Sequence, residues 1–199
     1  MIIINSFPRT GNRNLLVYMR FMFKIEKLSK NQKIFHNKEL LSDSSIKQIV
    51  ILRHPRDTII SFCVLRGQLP YNKKSNLDQS IFEWIEYHEK ILKNINHLYP
   101  LFFEQTITNP VECLIKLSEI FSIPRVDDYI SQRFFLDPVR KEKSKATTVQ
   151  VSSKISGEYY DFEQEYELLN PKTHKRLNEL YEELSVAFIK RQAQIDRVV

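Results

Sequence analysis

The stretch that most constrains this chain is Met1-Ile2-Ile3-Ile4-Asn5-Ser6-Phe7-Pro8-Arg9-Thr10-Gly11-Asn12-Arg13-Asn14. A short apolar run meets a proline and then a glycine. After them comes Leu15-Leu16-Val17-Tyr18-Met19-Arg20-Phe21-Met22-Phe23, which is apolar on more than one face. This order predicts a strand, a tight loop and a buried helix. A strand that is apolar without alternation suits a parallel sheet covered on both sides. Residues 8 to 13 then lie at a helix N-terminus, where unpaired backbone N–H groups and the helix dipole favour an anion. Arg9 adds a fixed charge and Thr10 a hydroxyl donor. The whole chain has only 3 glycines, so Gly11 stands where the freedom of the backbone matters most. A polar βα turn with no ligand is the plainer alternative.

Two common phosphate loops are excluded. The loop lacks the first glycine and the Gly-Lys pair of G-x-x-x-x-G-K-[S/T], and it lacks the G-x-G-x-x-G dinucleotide pattern.

The pattern repeats once downstream. Ile46-Lys47-Gln48-Ile49-Val50-Ile51-Leu52 is the clearest strand signal, rich in β-branched residues. It runs into the turn Arg53-His54-Pro55-Arg56-Asp57. Helical apolar spacing follows from Thr58 to Leu65 and stops near Gly67. Lys33 to His36 reads as another short strand. Leu77 to about His97 reads as a long helix with an apolar stripe of Ile81, Trp84, Ile85, His88, Ile91, Leu92 and Ile95. Tyr99 to Glu104 reads as a strand, Asn109-Pro110 as a capped helix start, and 128–135 as a short helix. Residues 138–158 are polar and basic and read as a mobile loop. A final amphipathic helix runs from Pro171 to about Arg191, capped by Asn170. Strands alternating with helices imply an α/β fold: a parallel sheet with helices on both faces. Ligands of such sheets bind at the carboxyl ends of the strands. The expected site therefore lies after the strands that precede Pro8 and Arg53. Arg53 and Ser61 could converge on one anion, as forked donor and hydroxyl, although an ion pair of Arg53 with Asp57 is the plainer alternative.

Composition narrows the classes. A chain of 199 residues with 42% hydrophobic content suits one globular domain spanning 1–199. The net charge of +6 makes an anionic ligand plausible without indicating nucleic acid. Cys63 and Cys113 fall in apolar helical patterns and read as buried free thiols. No window is long and apolar enough to span a membrane, and the N-terminal run does not read as a signal peptide. The expected setting is cytoplasmic, without membrane or nucleic-acid partners. Nothing in the sequence sets an oligomeric state. His36, His54, His88, His97 and His174 are scattered without ligand spacing, so no metal is expected.

Phe7-Pro8-Arg9-Thr10-Gly11-Asn12, followed by Arg53-His54-Pro55-Arg56-Asp57 and Ser61, resembles the sulfotransferase family. That family takes 3′-phosphoadenosine 5′-phosphosulfate (PAPS) as sulfuryl donor. Its loops read Pro-Lys/Arg-Ser/Thr-Gly-x-Thr-Trp/Leu and Arg-x-Pro-x-Asp-x-x-x-Ser. Leu101-Phe102-Phe103-Glu104 with Asn109-Pro110 is similar to the family's Tyr-Glu-Asp-Leu … Pro segment, and Ser156-Gly157-Glu158-Tyr159-Tyr160 weakly resembles its late Gly-Asp-Trp segment. The resemblance implies a P-loop-NTPase-like sheet and transfer of a sulfuryl group to a hydroxyl or amine of a small-molecule or glycan acceptor, with no metal. It implies that Pro8, Arg9, Thr10, Gly11, Asn12 and Arg13 cradle the 5′-phosphosulfate, with Arg9 catalytic at the bridging oxygen. Arg53 and Ser61 would hold the 3′-phosphate, Phe103 would lie near the adenine, and Lys154 would contact a phosphate. His36 would be the catalytic base. Arg9 stands where lysine is commoner, which favours an electrostatic role over proton donation. Two other classes stay open. One is a nucleotide or small-molecule kinase on a P-loop-like scaffold. The other is a basic polyanion-binding module using Lys141, Lys143, Lys145 and Lys154.

Overall fold

The structure is a computed structural model that describes residues 2–8, 10, 15, 16, 18, 19, 22, 23, 34–37, 40, 45–67, 77–125 and 157–197. Four strands, β1 (Ile2–Asn5), β2 (Ile34–Asn37), β3 (Lys47–Leu52) and β4 (Leu98–Phe102), form one sheet in the order β2-β1-β3-β4. Every pairing is parallel. β1 sits between β2 and β3, and its isoleucines are buried on both faces of the sheet, so they need no polar alternation. The chain leaves β1 for β2 on one side and returns to β3 on the other. The crevice between β1 and β3 is thus the point where the winding reverses, the usual ligand position in such sheets.

Alternate residues of β3 feed two cores. Val50 and Leu52 pack with Phe7, α1 (Pro55–Gly67), α2 (Leu77–Asn94) and α6 (Pro171–Asp196). Ile49 and Ile51 pack on the opposite face with Ile2 and Ile4, with Leu15, Tyr18, Met19 and Met22, and with α4 (Pro110–Phe121). Helices therefore cover both faces, as the alternating pattern predicts. Leu15, Leu16, Tyr18, Met19 and Met22 have helical backbone, which matches the buried helix expected after the first loop. α1 is buried on every side from Thr58 to Val64, so it shows no amphipathic stripe.

Several boundaries differ from expectation. The long second helix ends at Asn94 and tightens into a 3₁₀ turn at Ile95–His97. The strand expected to reach Glu104 stops at Phe102, and α3 (Phe103–Thr108) begins there because Gln105 Oε1 accepts the Phe102 N–H at 2.9 Å. α4 starts with Pro110 at its first turn as expected, but the Asn109 side chain makes no cap bond. The cap predicted for the last helix is present: Asn170 Oδ1 accepts the Lys172 N–H at 2.9 Å. That helix runs on to Asp196, five residues past the expected end. The helix predicted at 128–135 and most of the loop predicted at 138–158 lie outside the described residues. Gly157 and Glu158 instead open α5 (Gly157–Glu167).

β4 forms one edge of the sheet, and its outward groups are closed by side chains. Arg191 Nε donates to Leu98 O at 3.2 Å, and Gln192 Nε2 donates to Pro100 O at 2.9 Å. Pro100 has no N–H, and the Phe102 N–H is taken by Gln105. The C-terminal helix thus blunts an edge that would otherwise template pairing with another chain.

Candidate active site

The carboxyl ends of the parallel strands lie along one edge of the sheet. Each delivers a residue singled out in the sequence. β2 carries His36 beside Ile4 of β1. β1 leads to Pro8 and Thr10, β3 leads to Arg53, and β4 leads to Phe103.

The first loop is anchored by polar groups that are themselves buried. Ser6 Oγ donates to Asn5 O at 2.7 Å and accepts the Ile51 N–H at 2.6 Å. That second bond carries the β1–β3 contact past the last paired residues of β1. Asn5 Nδ2 donates to Gln48 Oε1 at 2.6 Å, while Asn5 Oδ1 is buried with no partner. The chain then turns at Phe7-Pro8. Thr10 closes the turn, its N–H and its hydroxyl both donating to Phe7 O at 3.3 and 2.7 Å. Proline suits the second position of such a turn because its φ is already set. Thr10 is fully buried and Pro8 half-buried. Arg9, Gly11, Asn12 and Arg13 lie outside the described residues, as does Lys154.

The second loop is more fully shown. Arg53 follows β3 directly and is 9% exposed. Its guanidinium stacks on the Phe103 ring with 4.5 Å from Cζ to the ring centroid. A cation so placed gains from the ring's negative face. Asp57, in the first turn of α1, reaches Arg53 Nη2 at 3.8 Å, an electrostatic contact longer than a hydrogen bond. The ion pair foreseen as the plainer reading thus exists, but loosely. Thr58 Oγ1 donates to His54 O at 2.9 Å and fixes the turn into α1. That helix starts at Pro55, which puts Ser61, buried at 3% exposed, in its second turn. Arg53 and Phe103 are therefore brought into contact, and Ser61 is placed on the helix that Arg53 precedes.

Arg56 has a different task. Its guanidinium donates to Glu167 at 2.9 Å and to Glu163 at 2.5 Å, both on α5. Its hydrogen bond to the Glu167 carboxylate, above all, holds its pKa above the ordinary value. This clamp docks α5 on α1, so Gly157 and its neighbours belong to a helix packed beside the second loop. The side chain of His36 lies outside the described residues. Only its backbone position at the end of β2 is established.

Sequence reasoning missed the buried polar set of Asn5, Ser6, Gln48 and Thr58, which shapes both loops. Its signal was the polar interruption of apolar runs, at Asn5-Ser6 after three isoleucines and at Gln48 inside a strand. It also placed His88 in an apolar stripe without further role. His88 is fully buried beneath the first loop, with its ring 5.8 Å from Phe7 and stacked 4.0 Å from Trp84. Nδ1 donates to Trp84 O at 2.7 Å, which makes Nε2 an acceptor, and that atom is buried without a partner. Burial lowers its pKa to about 3, outweighing the backbone bond. The unfolded chain therefore binds a proton near pH 6.5 that the folded chain refuses. This contribution is intact above that pH, and stability falls as pH drops from there towards 3. In urea titrations, His88→Phe is expected to flatten the slope over that window by up to about 1.4 kcal/mol per pH unit. A slope equal to that of the parent would show that His88 is protonated in the fold.

Cys63 and Cys113 are both free and buried, as expected. Among the described residues no group of three His, Cys, Asp or Glu side chains is placed to hold a metal ion. Among the same residues no helix is long and apolar enough to cross a membrane.

No protein-family model matches the sequence, and no curated protein matches it. Among solved structures, the chain is similar to the mouse sulfotransferase SULT7A1 complexed with PAP. The identity is 15% and the TM-score 0.50, over 90% of this chain and 82% of that one. At that identity the likeness is one of fold: a P-loop-NTPase-like α/β architecture, a parallel sheet with helices on both faces.

Proposed function

We propose that this protein is a PAPS-dependent sulfotransferase that transfers a sulfuryl group to a hydroxyl or amine of a small-molecule or glycan acceptor. The observation that carries the reading is the common edge of the sheet. Parallel pairing sets His36, the Pro8–Thr10 turn, Arg53 and Phe103 at the carboxyl ends of four adjacent strands. The two loops that resemble the family's donor-binding segments flank the crevice between β1 and β3. The likeness of fold to a sulfotransferase that was crystallised with PAP supports the reading.

In this mechanism Arg53 and Ser61 bind the 3′-phosphate, and the first loop binds the 5′-phosphosulfate. Arg9 offsets the negative charge that grows on the bridging oxygen as the S–O bond breaks. His36 takes the proton from the acceptor as its oxygen or nitrogen attacks sulfur from the side opposite the leaving group. Alignment of the two ends and charge neutralisation supply the catalysis, as in phosphoryl transfer. Phe103 acts by stacking on Arg53 and bordering the adenine. Catalysis by this scheme needs no metal, because a sulfuryl group carries less charge than a phosphoryl group.

The test is calorimetric titration with 3′,5′-adenosine bisphosphate beside 5′-AMP and ATP. Two or more charge-assisted bonds to the extra phosphate predict binding of the bisphosphate at least about 100-fold tighter than 5′-AMP. Equal affinities would remove the assignment of Arg53 and Ser61, and magnesium-dependent turnover of ATP would replace it with a kinase.

A further inference from the structure

A cavity of about 330 Å³ lies between the outer edge of β4, α3, α4 and the last turns of α6. We propose that it is a second binding site, for a small organic cation: a primary amine or amidine on a compact apolar body. The volume is that of a small-ligand pocket. None of its lining residues belongs to the site proposed above, so the inference does not depend on that reading.

The lining selects the chemistry by elimination. Leu101, Leu117 and Ile120 offer apolar wall, with Cys113 among them. Two polar side chains of the lining, Gln192 on α6 and Thr108 on α3, are already engaged. Gln192 Nε2 donates to Pro100 O at 2.9 Å and to Gln105 Oε1 at 3.0 Å. Thr108 Oγ1 donates to Glu104 O at 2.7 Å. Lys116, the one cation among the described lining residues, is held by Asp196 at 2.7 Å and ties α4 to α6. Glu104 and Glu112 then stand over the cavity, and neither carboxylate has an ion pair or hydrogen bond among the described residues. A neutral ligand gains nothing from these two exposed carboxylates, and an anion is repelled by them. An ammonium between the two glutamates, with its apolar body against Leu117 and Ile120, satisfies both walls.

Benzylamine is a suitable probe, with benzyl alcohol as its neutral isostere, and binding is read by ligand-observed NMR titration of the full chain. Benzylamine should bind saturably, and benzyl alcohol at least about tenfold more weakly. The double variant Glu104→Gln, Glu112→Gln should lose benzylamine affinity by a similar factor while keeping the affinity of the wild type for 3′,5′-adenosine bisphosphate. Location is read from Cys113, the cysteine that lines the cavity, against Cys63, which is fully buried. Bound benzylamine should slow modification of Cys113 by methyl methanethiolsulfonate. Equal affinity for the alcohol, undiminished binding by the double variant, or saturable binding without protection of Cys113 would each overturn the proposal.

Discussion

Arg53→Ala should lower affinity for 3′,5′-adenosine bisphosphate by about 2–4 kcal/mol, roughly 30- to 1000-fold, while 5′-AMP binding changes little. The size follows from the placing of the guanidinium. It is 9% exposed at the end of β3, and it lies over the Phe103 ring. A buried fork of donors loses little rotamer entropy when an anion binds. Arg53→Lys keeps the charge but not the fork or the flat stack, so it should recover only part of the loss. Calorimetric titration of both variants checks this, with thermal unfolding run beside it because the stack on Phe103 is lost too. Full donor affinity in a folded Arg53→Ala protein would leave Arg53 a structural role at the end of β3 in place of the 3′-phosphate.

Trp84→Ala should destabilise the fold by about 3–5 kcal/mol in urea unfolding. Trp84 is fully buried in the core that joins α1, α2 and α6, and it stacks on His88. Its indole N–H has no hydrogen-bond partner, so the loss is one of packing and cavity formation and not of a bond. Small domains are stable by only about 5–15 kcal/mol, so the variant forfeits a large share. Trp84→Phe should cost clearly less, since most of the ring volume remains. The damage should also reach the first loop. Phe7, which precedes Pro8, packs on Phe62, Tyr87 and His88 at ring separations of 4.9, 5.8 and 5.8 Å. A loss no larger than that of an exposed residue would show that the core around Trp84 is loosely packed.

Much of the fold was legible in local pattern. Ile2-Ile3-Ile4 and Ile49-Val50-Ile51-Leu52 read as buried parallel strands because β-branched runs without alternation suit nothing else of that length. Pro171 behind Asn170 marked a helix start, and the side-chain bond to the Lys172 N–H is there. The positions of Arg53 at a strand end and Ser61 in the second turn of the next helix were legible because a strand end and the helix after it keep a fixed offset. Glu104 was misread as strand because the event that ends β4, capture of the Phe102 N–H by Gln105, looks like nothing in an apolar window. The cap expected of Asn109 failed for a related reason: residue type licenses a cap, but the backbone around it decides.

By itself, the sequence determined which segments become strands and helices, and that two basic turns follow two buried strands. Short-range spacing and propensity suffice for that. The order β2-β1-β3-β4 came only with the tertiary structure, and so did the contact of Arg53 with Phe103, fifty residues apart. The same holds for the capping of β4 by Arg191 and Gln192, and for the assignment of Arg56 to α5 while Arg53 faces the sheet edge. These depend on which surfaces exclude water together, a property of the packed chain that no local window contains.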